Sequence, residues 1–235
     1  MTGKYFNFSD VLGYGWRVMK ANLWFFVALG FIWIPISWSP SIVRFAIYHL
    51  PLSKTATAIL SLLMNILGWA ISIVLGIGLI KIALSFCDEK KPPIRKLFDV
   101  WDCFWRYIAA KILYVLIVLG GFILLIVPGI IWSIKFGLYR YFVINKGMGP
   151  VQAIKASALT TKGVKWQLFG FGILCCLINL LGLVCLVVGT FATYPTVLVA
   201  QALVYRQLLA QTPELARFGI ATPIIQPTAV YPTNE

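Results

Sequence analysis

The sequence predicts an all-α, polytopic integral membrane protein: six transmembrane helices, with three amphipathic helices lying in the cytoplasmic interface. Three observations predict it. Of the 235 residues, 60% are hydrophobic and 11% charged, where a soluble domain is nearer half apolar and about a quarter charged. Apolar runs of about twenty residues recur, the length that crosses a bilayer core at about 1.5 Å per residue. Lysine and arginine gather at the ends of those runs, as interfaces require.

The clearest run lies within 106–146. Apolar residues lead into Val127-Pro128-Gly129 and away from it again. Pro interrupts a helix ladder and Gly accepts positive φ, so the tripeptide reads as a turn. A hairpin with almost no loop follows, its spans at 107–127 and 129–145.

The same design flanks it. Ser9–Lys20 reads as an interfacial helix with Ser9 as N-cap and Asp10 in the first turn. Its polar positions Asp10, Gly13, Arg17 and Lys20 share a face, and Val11, Leu12, Trp16, Val18 and Met19 occupy most of the remainder. The first span is 21–38, with Trp24, Trp33 and Trp38 as interface anchors. An irregular connection from Pro40 to Thr57 leads to the second span, 58–86, which is long enough to tilt or protrude. Ile94–Arg106 has the cleanest helical alternation, with apolar residues at 94, 97, 98, 101, 104 and 105. Pro150–Lys162 is the third amphipathic stretch, with Val151, Ile154, Ala158 and Leu159 on one side, ended by Gly163. The fifth span is 165–188, Gly189-Thr190 a tight turn, and the sixth span 191–210. These make one domain, 1–210. Residues 211–235 are rich in Pro and Thr and read as a disordered cytoplasmic tail. The order interfacial helix, span, turn, span thus occurs three times, either as an internal repeat or as generic anchoring.

Orientation follows from the cations. All but Arg44, Lys54 and Lys135 of the twenty Lys and Arg residues fall in the termini, the second and fourth loops or the adjoining span ends. Both termini are therefore expected in the cytoplasm, with no cleavable signal peptide. A net charge of +13 is then explained by topology and anionic headgroups rather than by nucleic acid.

No span contains any of the seven acidic residues, which argues against a carboxylate proton relay. Lys81, Lys111 and Arg140 lie within about two turns of the cytoplasmic edge, where snorkelling accounts for them. Lys135 lies deeper, about 9 Å from the Pro-Gly turn and about 15 Å from Asn145 at 1.5 Å per residue. A lysine there costs about 2.5–3.5 kcal/mol on the lenient insertion scale. It faces a cavity, a partner or a lipid phosphate, or else a water-filled crevice, span carbonyls or a shifted register. Lys135 and Arg140 are the candidate ligand or lipid-phosphate residues. Arg17, Lys20, Arg95, Lys96, Lys155 and Lys162 are the candidate cytoplasmic headgroup contacts, each contributing about 1 kcal/mol.

Other chemistry has little support. His49 is the single histidine, and the five cysteines show no metal-ligand spacing and no disulfide framework. The pairs Asp88/Glu89 and Asp99/Asp102 sit beside cations and read as solvated charge. No catalytic residue, metal or cofactor is expected. Asn65, Asn179 and Gln201 suit interhelical hydrogen bonds, and the span glycines suit close packing.

Two segments carry a resemblance. One is Val127-Pro128-Gly129-Ile130-Ile131-Trp132, continuing through Met148-Gly149-Pro150 to Ala153-Ile154-Lys155-Ala156-Ser157 and Lys162-Gly163. The other is Leu181-Gly182, Val188-Gly189, Thr193-Tyr194-Pro195 and Tyr205-Arg206. With Trp16 and Lys20-Ala21-Asn22, their order over residues 8–210 resembles the glycerophosphoryl diester phosphodiesterase membrane-domain family and related stand-alone six-span bacterial proteins. The resemblance implies six helices in a bacterial cytoplasmic (inner) membrane and a non-enzymatic role, because the phosphodiesterase domain is not in this chain. The expected function is a lipid- or partner-binding envelope scaffold or accessory subunit. Its partners would be anionic membrane lipids and a membrane protein. The alternative is a small permease for an anionic or amphiphilic solute.

Overall fold

The computed structural model describes residues 4–49, 53–88, 100–184 and 188–219. Every regular element among them is helical, and four helices are long and apolar enough to cross a membrane. The candidate headgroup residues Arg95 and Lys96, and the expected tail beyond Gly219, lie outside the described residues.

Helix α1 (Phe8–Ala21) is capped by Asn7 rather than Ser9. The Asn7 side chain accepts the Ser9 N–H at 3.1 Å, and Asn is among the best N-caps because its short amide reaches the orphan donors. The apolar stripe of α1 is spent on protein. Val11, Gly15 and Met19 are buried, against the central helix α9 (Val188–Ala210). Arg17 and Lys20 are left exposed on the outer face, and Trp16, expected with the apolar residues, is exposed beside them because the α9 contact takes Val11, Gly15 and Met19.

Helix α2 (Leu23–Tyr48) runs ten residues past the expected span end at 38 and takes in Pro35 and Pro40. The irregular connection is therefore shorter than the prolines suggested. Pro40 has no N–H for the Ile36 carbonyl four residues back, and the Ser39 hydroxyl donates to that carbonyl instead, at 2.9 Å. Helix α3 (Lys54–Cys87) starts four residues earlier than expected. Ser53 caps it, accepting the Ala56 N–H at 3.3 Å. Its 34 residues extend about 51 Å at 1.5 Å per residue. The inner half is buried from Ile73 to Phe86, and the outer half leaves Ile59, Leu62 and Leu63 exposed. Its end is held by a 2.6 Å ion pair between Asp88 and Arg206 of α9.

Of the expected interfacial helix Ile94–Arg106, residues 94–99 lie outside the described residues, and Trp101–Arg106 does not stand apart as a helix of its own. It is the first part of α4 (Trp101–Leu124), continuous with the expected third span. The chain then reverses at Leu125, whose backbone is extended (φ −167°, ψ 152°), and not at Val127-Pro128-Gly129. Pro128 sits in the first turn of α5 (Ile126–Phe136), where a helix needs no N–H. Gly129 makes the hairpin close: a Cβ there would stand 2.6 Å from the Phe122 ring.

The return leg is not one helix either. α5 ends at Phe136, and α6 (Tyr139–Lys146) begins after Gly137-Leu138. Helix α7 (Pro150–Thr160) buries Ala153, Ile154, Ala156, Ser157 and Thr160, while Val151, expected on the apolar side, is exposed. Small side chains set that face because α7 approaches α4 and α6 closely. Helix α8 (Lys165–Val184) packs on α9. Gly189-Thr190, expected as a turn, lies in the first turn of α9.

Helix α9 is the hub. It touches α1, α2, α3 and α8, and Val199, Ala200, Ala202 and Tyr205 are fully buried. A helix shielded by neighbours needs less hydropathy than one facing lipid, which explains why α9 tolerates Thr196, Gln201 and Arg206. The N-terminal segment closes one end of the bundle. The Lys4 ammonium donates to the Leu159 and Thr160 carbonyls at 2.8 and 3.3 Å. Its pKa is lowered by burial, with Glu214 opposing that shift. The Gln167 side-chain amide donates to the Phe6 carbonyl.

The α1–α9 contact makes a simple prediction. A Cβ on Gly15 would lie 2.4 Å from the Thr196 carbonyl oxygen, whereas Gly13 faces open space. Gly15→Val should destabilise the detergent-solubilised protein by about 1–3 kcal/mol through overpacking. Gly13→Ala should leave it unchanged or up to about 1 kcal/mol more stable. Denaturant unfolding followed by tryptophan fluorescence separates the two, and equal losses would reject the close contact.

Candidate functional site: a cationic cavity at a broken helix

The break between α5 and α6 exposes backbone groups that a continuous helix would pair internally. Several of the groups beside it have partners. Tyr114 Oη donates to the Ser133 carbonyl at 3.2 Å. The Gly137 N–H turns to the Ile134 carbonyl at 3.3 Å. The Lys135 carbonyl accepts from both Ser157 Oγ and Thr161 Oγ1 at 3.0 Å. Ser157 Oγ also accepts the Leu138 N–H at 3.2 Å. Two hydroxyls of the α7 segment thus staple the break. Irregular backbone at membrane depth is tolerated where it is satisfied in this way or lines a cavity.

Here it does both. A cavity of about 480 Å³ opens beside the break, among α4, the α5–α6 leg, α8 and α9. Its polar lining includes Lys111, Arg140, Tyr107, Tyr114, Tyr139 and Gln201. No carboxylate lines it among the described residues. The Arg140 Nε is buried without a hydrogen-bond partner, and the guanidinium carbon lies 5.6 Å from the centroid of the Tyr141 ring. Lys111 Nζ lies 5.8 Å from the centroid of the Trp69 ring. The tyrosines stack on one another, Tyr114 on Tyr139 at 4.8 Å and Tyr107 on Tyr139 at 6.2 Å.

The cavity occupies one layer of the bundle. Arg106 donates to the Gly147 carbonyl at 2.8 Å, and Asn145 donates to Tyr205 Oη at 3.2 Å. The end of α6 is therefore level with Arg106 of α4 and Tyr205 of α9, and Arg106, Lys146 and Arg206 mark a basic rim. Lys111, Arg140 and Gln201 lie five or six residues inside that rim, about 7–9 Å at 1.5 Å per residue.

The expected site residues separate. Arg140 enters the cavity; the Lys135 side chain does not line it, and its Nζ lies 5.0 Å from the centroid of the Phe136 ring. The carbonyl of Lys135, rather than its ammonium, is used at the break. Arg17, Lys20, Lys155 and Lys162 are exposed at the surface, with Lys20 Nζ 5.6 Å from the centroid of the Trp16 ring. Lys111, explained from sequence as a snorkelling residue, lines the cavity beside Arg140. Ser157, Thr161 and the tyrosines had no distinct sequence signal beyond the density of Tyr around two span cations. Among the described residues, Cys87, Cys175 and Cys176 are free thiols, and no group of His, Cys, Asp and Glu could hold a metal.

The staple is asymmetric, and so is its predicted loss. Ser157 serves two backbone groups and Thr161 one of them. Unsatisfied buried groups cost about 1–3 kcal/mol each. Ser157→Ala should therefore destabilise more than Thr161→Val, and the double variant more than either, as read by thermal unfolding in detergent. A larger effect from Thr161→Val would contradict the assignment.

Comparisons of the chain with protein-family models, curated proteins and solved structures found no match.

Proposed function

We propose that this chain is a non-enzymatic, six-span protein of the bacterial inner membrane that binds anionic lipid, with both termini cytoplasmic. One observation carries the reading: Arg140 projects into a cavity with Lys111 and without a carboxylate among the described residues. Two cations held inside a bundle are costly unless an anion meets them. A negatively charged headgroup is the most abundant anion available to a membrane protein.

Three further features support it. Four long apolar helices suit a multi-pass protein. The α5–α6 leg and α9 supply the fifth and sixth crossings in this reading. The first is interrupted at the cavity, and the second is shielded from lipid by its neighbours. The outer face of α1, with Trp16, Arg17 and Lys20 exposed, suits an anionic leaflet. Lys155 and Lys162 extend that basic surface, and Arg95 and Lys96 belong to the same proposal. Lys135, with its ammonium outside the cavity, becomes a peripheral headgroup contact. The motif order over residues 8–210 points the same way, towards membrane and lipid business, in a scaffold or accessory subunit beside a partner membrane protein.

The broken α5–α6 leg supports a second reading. Carriers build central sites from interrupted helices, so the cavity also suits a permease for an anionic or amphiphilic solute.

Native mass spectrometry of the full chain released from nanodiscs containing phosphatidylglycerol tests the primary reading. Wild type and Lys135→Ala should retain bound lipid, and Arg140→Ala should lose most of it. Equal retention by Arg140→Ala would remove the cavity from lipid binding. If no lipid is retained and an anionic solute exchanges across proteoliposomes in an Arg140-dependent way, the permease reading replaces it.

A further inference from the structure

The cavity holds more positive charge than one phosphodiester can meet. We infer that it is a phosphomonoester site, in which Arg140 and Lys111 together hold a doubly charged terminal phosphate while the stacked tyrosines flank the group that the phosphate esterifies. This rests on the anionic-ligand reading of the same cavity and narrows it to one chemical class.

The charge balance comes first. Arg140 and Lys111 both line the cavity, and no carboxylate among the described residues does. A diester headgroup brings one negative charge and leaves one cation unmatched. A phosphomonoester brings about −1.5 to −2 at pH 7, its second pKa being about 6. It also presents three terminal oxygens to a site supplied with donors. Guanidinium has five N–H groups and ammonium three, and neither accepts. The partnerless Nε of Arg140 is one such donor with nothing to meet.

Space comes next. A volume of about 480 Å³ lies in the range of small-molecule sites, about 300–1,000 Å³. It exceeds what a phosphate alone fills, so part of the ester enters with it. Tyr107, Tyr114 and Tyr139, stacked on one another, line it with aromatic carbon as well as hydroxyls. Depth is the third constraint. The cations lie about 7–9 Å inside the basic rim, at 1.5 Å per residue. A terminal phosphate on a slim ester reaches that layer more readily than a phosphate flanked on both sides. The monoester has two sources, a lipid with a terminal phosphate or a soluble phosphate ester.

The experiment uses the full chain in phosphatidylcholine nanodiscs doped with equal fractions of phosphatidic acid, a monoester, or phosphatidylglycerol, a diester. Native mass spectrometry counts retained lipid. Inorganic phosphate is added separately in detergent, with the unfolding temperature as readout. Wild type is expected to retain phosphatidic acid about tenfold over phosphatidylglycerol, the effect of one extra charge-assisted contact. The preference should grow from pH 5 to pH 8 as the second proton leaves. Lys111→Gln should reduce it to near parity while keeping phosphatidylglycerol bound. Arg140→Gln should abolish retention of both, with Arg140→Lys restoring part of it and Lys54→Gln, at the exposed start of α3, unchanged. This pattern assigns the lipid source. Parity between the lipids, with inorganic phosphate raising the unfolding temperature of wild type but not of Lys111→Gln, assigns the soluble source; either result supports the monoester site. Parity with Arg140-dependent retention, no phosphate effect and no effect of Lys111→Gln overturns the inference and leaves anionic-lipid binding standing. No retention of either lipid and no phosphate effect overturns both.

Discussion

Two hydroxyl groups hold the return leg of the α4–α5 hairpin in its broken form. Ser157 and Thr161 take the place of the N–H that would otherwise meet the Lys135 carbonyl, and Ser157 also takes the Leu138 N–H. Without them, the α5–α6 leg would hold bare peptide groups inside an apolar bundle, where each is expensive. With them, α6 starts afresh after Gly137-Leu138, and Arg140 projects into the cavity in its first turn. The position of the cation thus depends on the side chains of a different helix, α7.

The rest of the bundle can be understood as support for that arrangement. α9 stands at the centre and is gripped from several sides, so its polar residues meet protein rather than lipid. Tyr205 stacks on Tyr141 at 5.0 Å and accepts from Asn145, fixing the end of α6 against α9. Arg106 holds the other side of the same corner through the Gly147 carbonyl. Gly147 itself has φ +61°, a left-handed conformation that a side chain would disfavour. The N-terminal segment ties α7 to the start of α8 through Lys4 and Phe6. Phe6 also packs edge-on against Phe171, a cavity-lining residue, at 5.7 Å.

Charge is distributed unevenly over this frame. Arg206 has its counter-charge in Asp88, at the edge of the bundle. Arg140 and Lys111 have tyrosine and tryptophan rings instead. Aromatic faces attract a cation but do not neutralise it, and such contacts are worth about 0.5–2 kcal/mol. That contrast between a paired cation at the rim and cavity cations beside aromatic rings sets the cavity apart from ordinary packing.

Several features were legible in the amino acids themselves. Long apolar runs bounded by cations require helices suited to a membrane, because a lipid-facing backbone must pair internally. Asp10 and Lys20 at the ends of α1, the turn at Gly163 and the close α4–α5 hairpin follow from local chemistry that each segment carries alone. Other features needed the fold. Pro40 reads as the start of an irregular connection, yet α2 continues because Ser39 fills the vacant Ile36 carbonyl. Pro128 reads as the turn, yet the first turn of a helix accommodates it and the reversal moves to Leu125. Residues 129–145 read as one span, because nothing near Gly137 announces that hydroxyls about twenty positions later will satisfy a break there. Lys135 was the conspicuous cation from sequence depth alone. Side-chain direction decided otherwise: the break turns Arg140 inward and brings Lys111 to the same cavity from α4. Sequence spacing measures distance along a helix, but which cations share a space depends on how the helices pack and where one of them is interrupted.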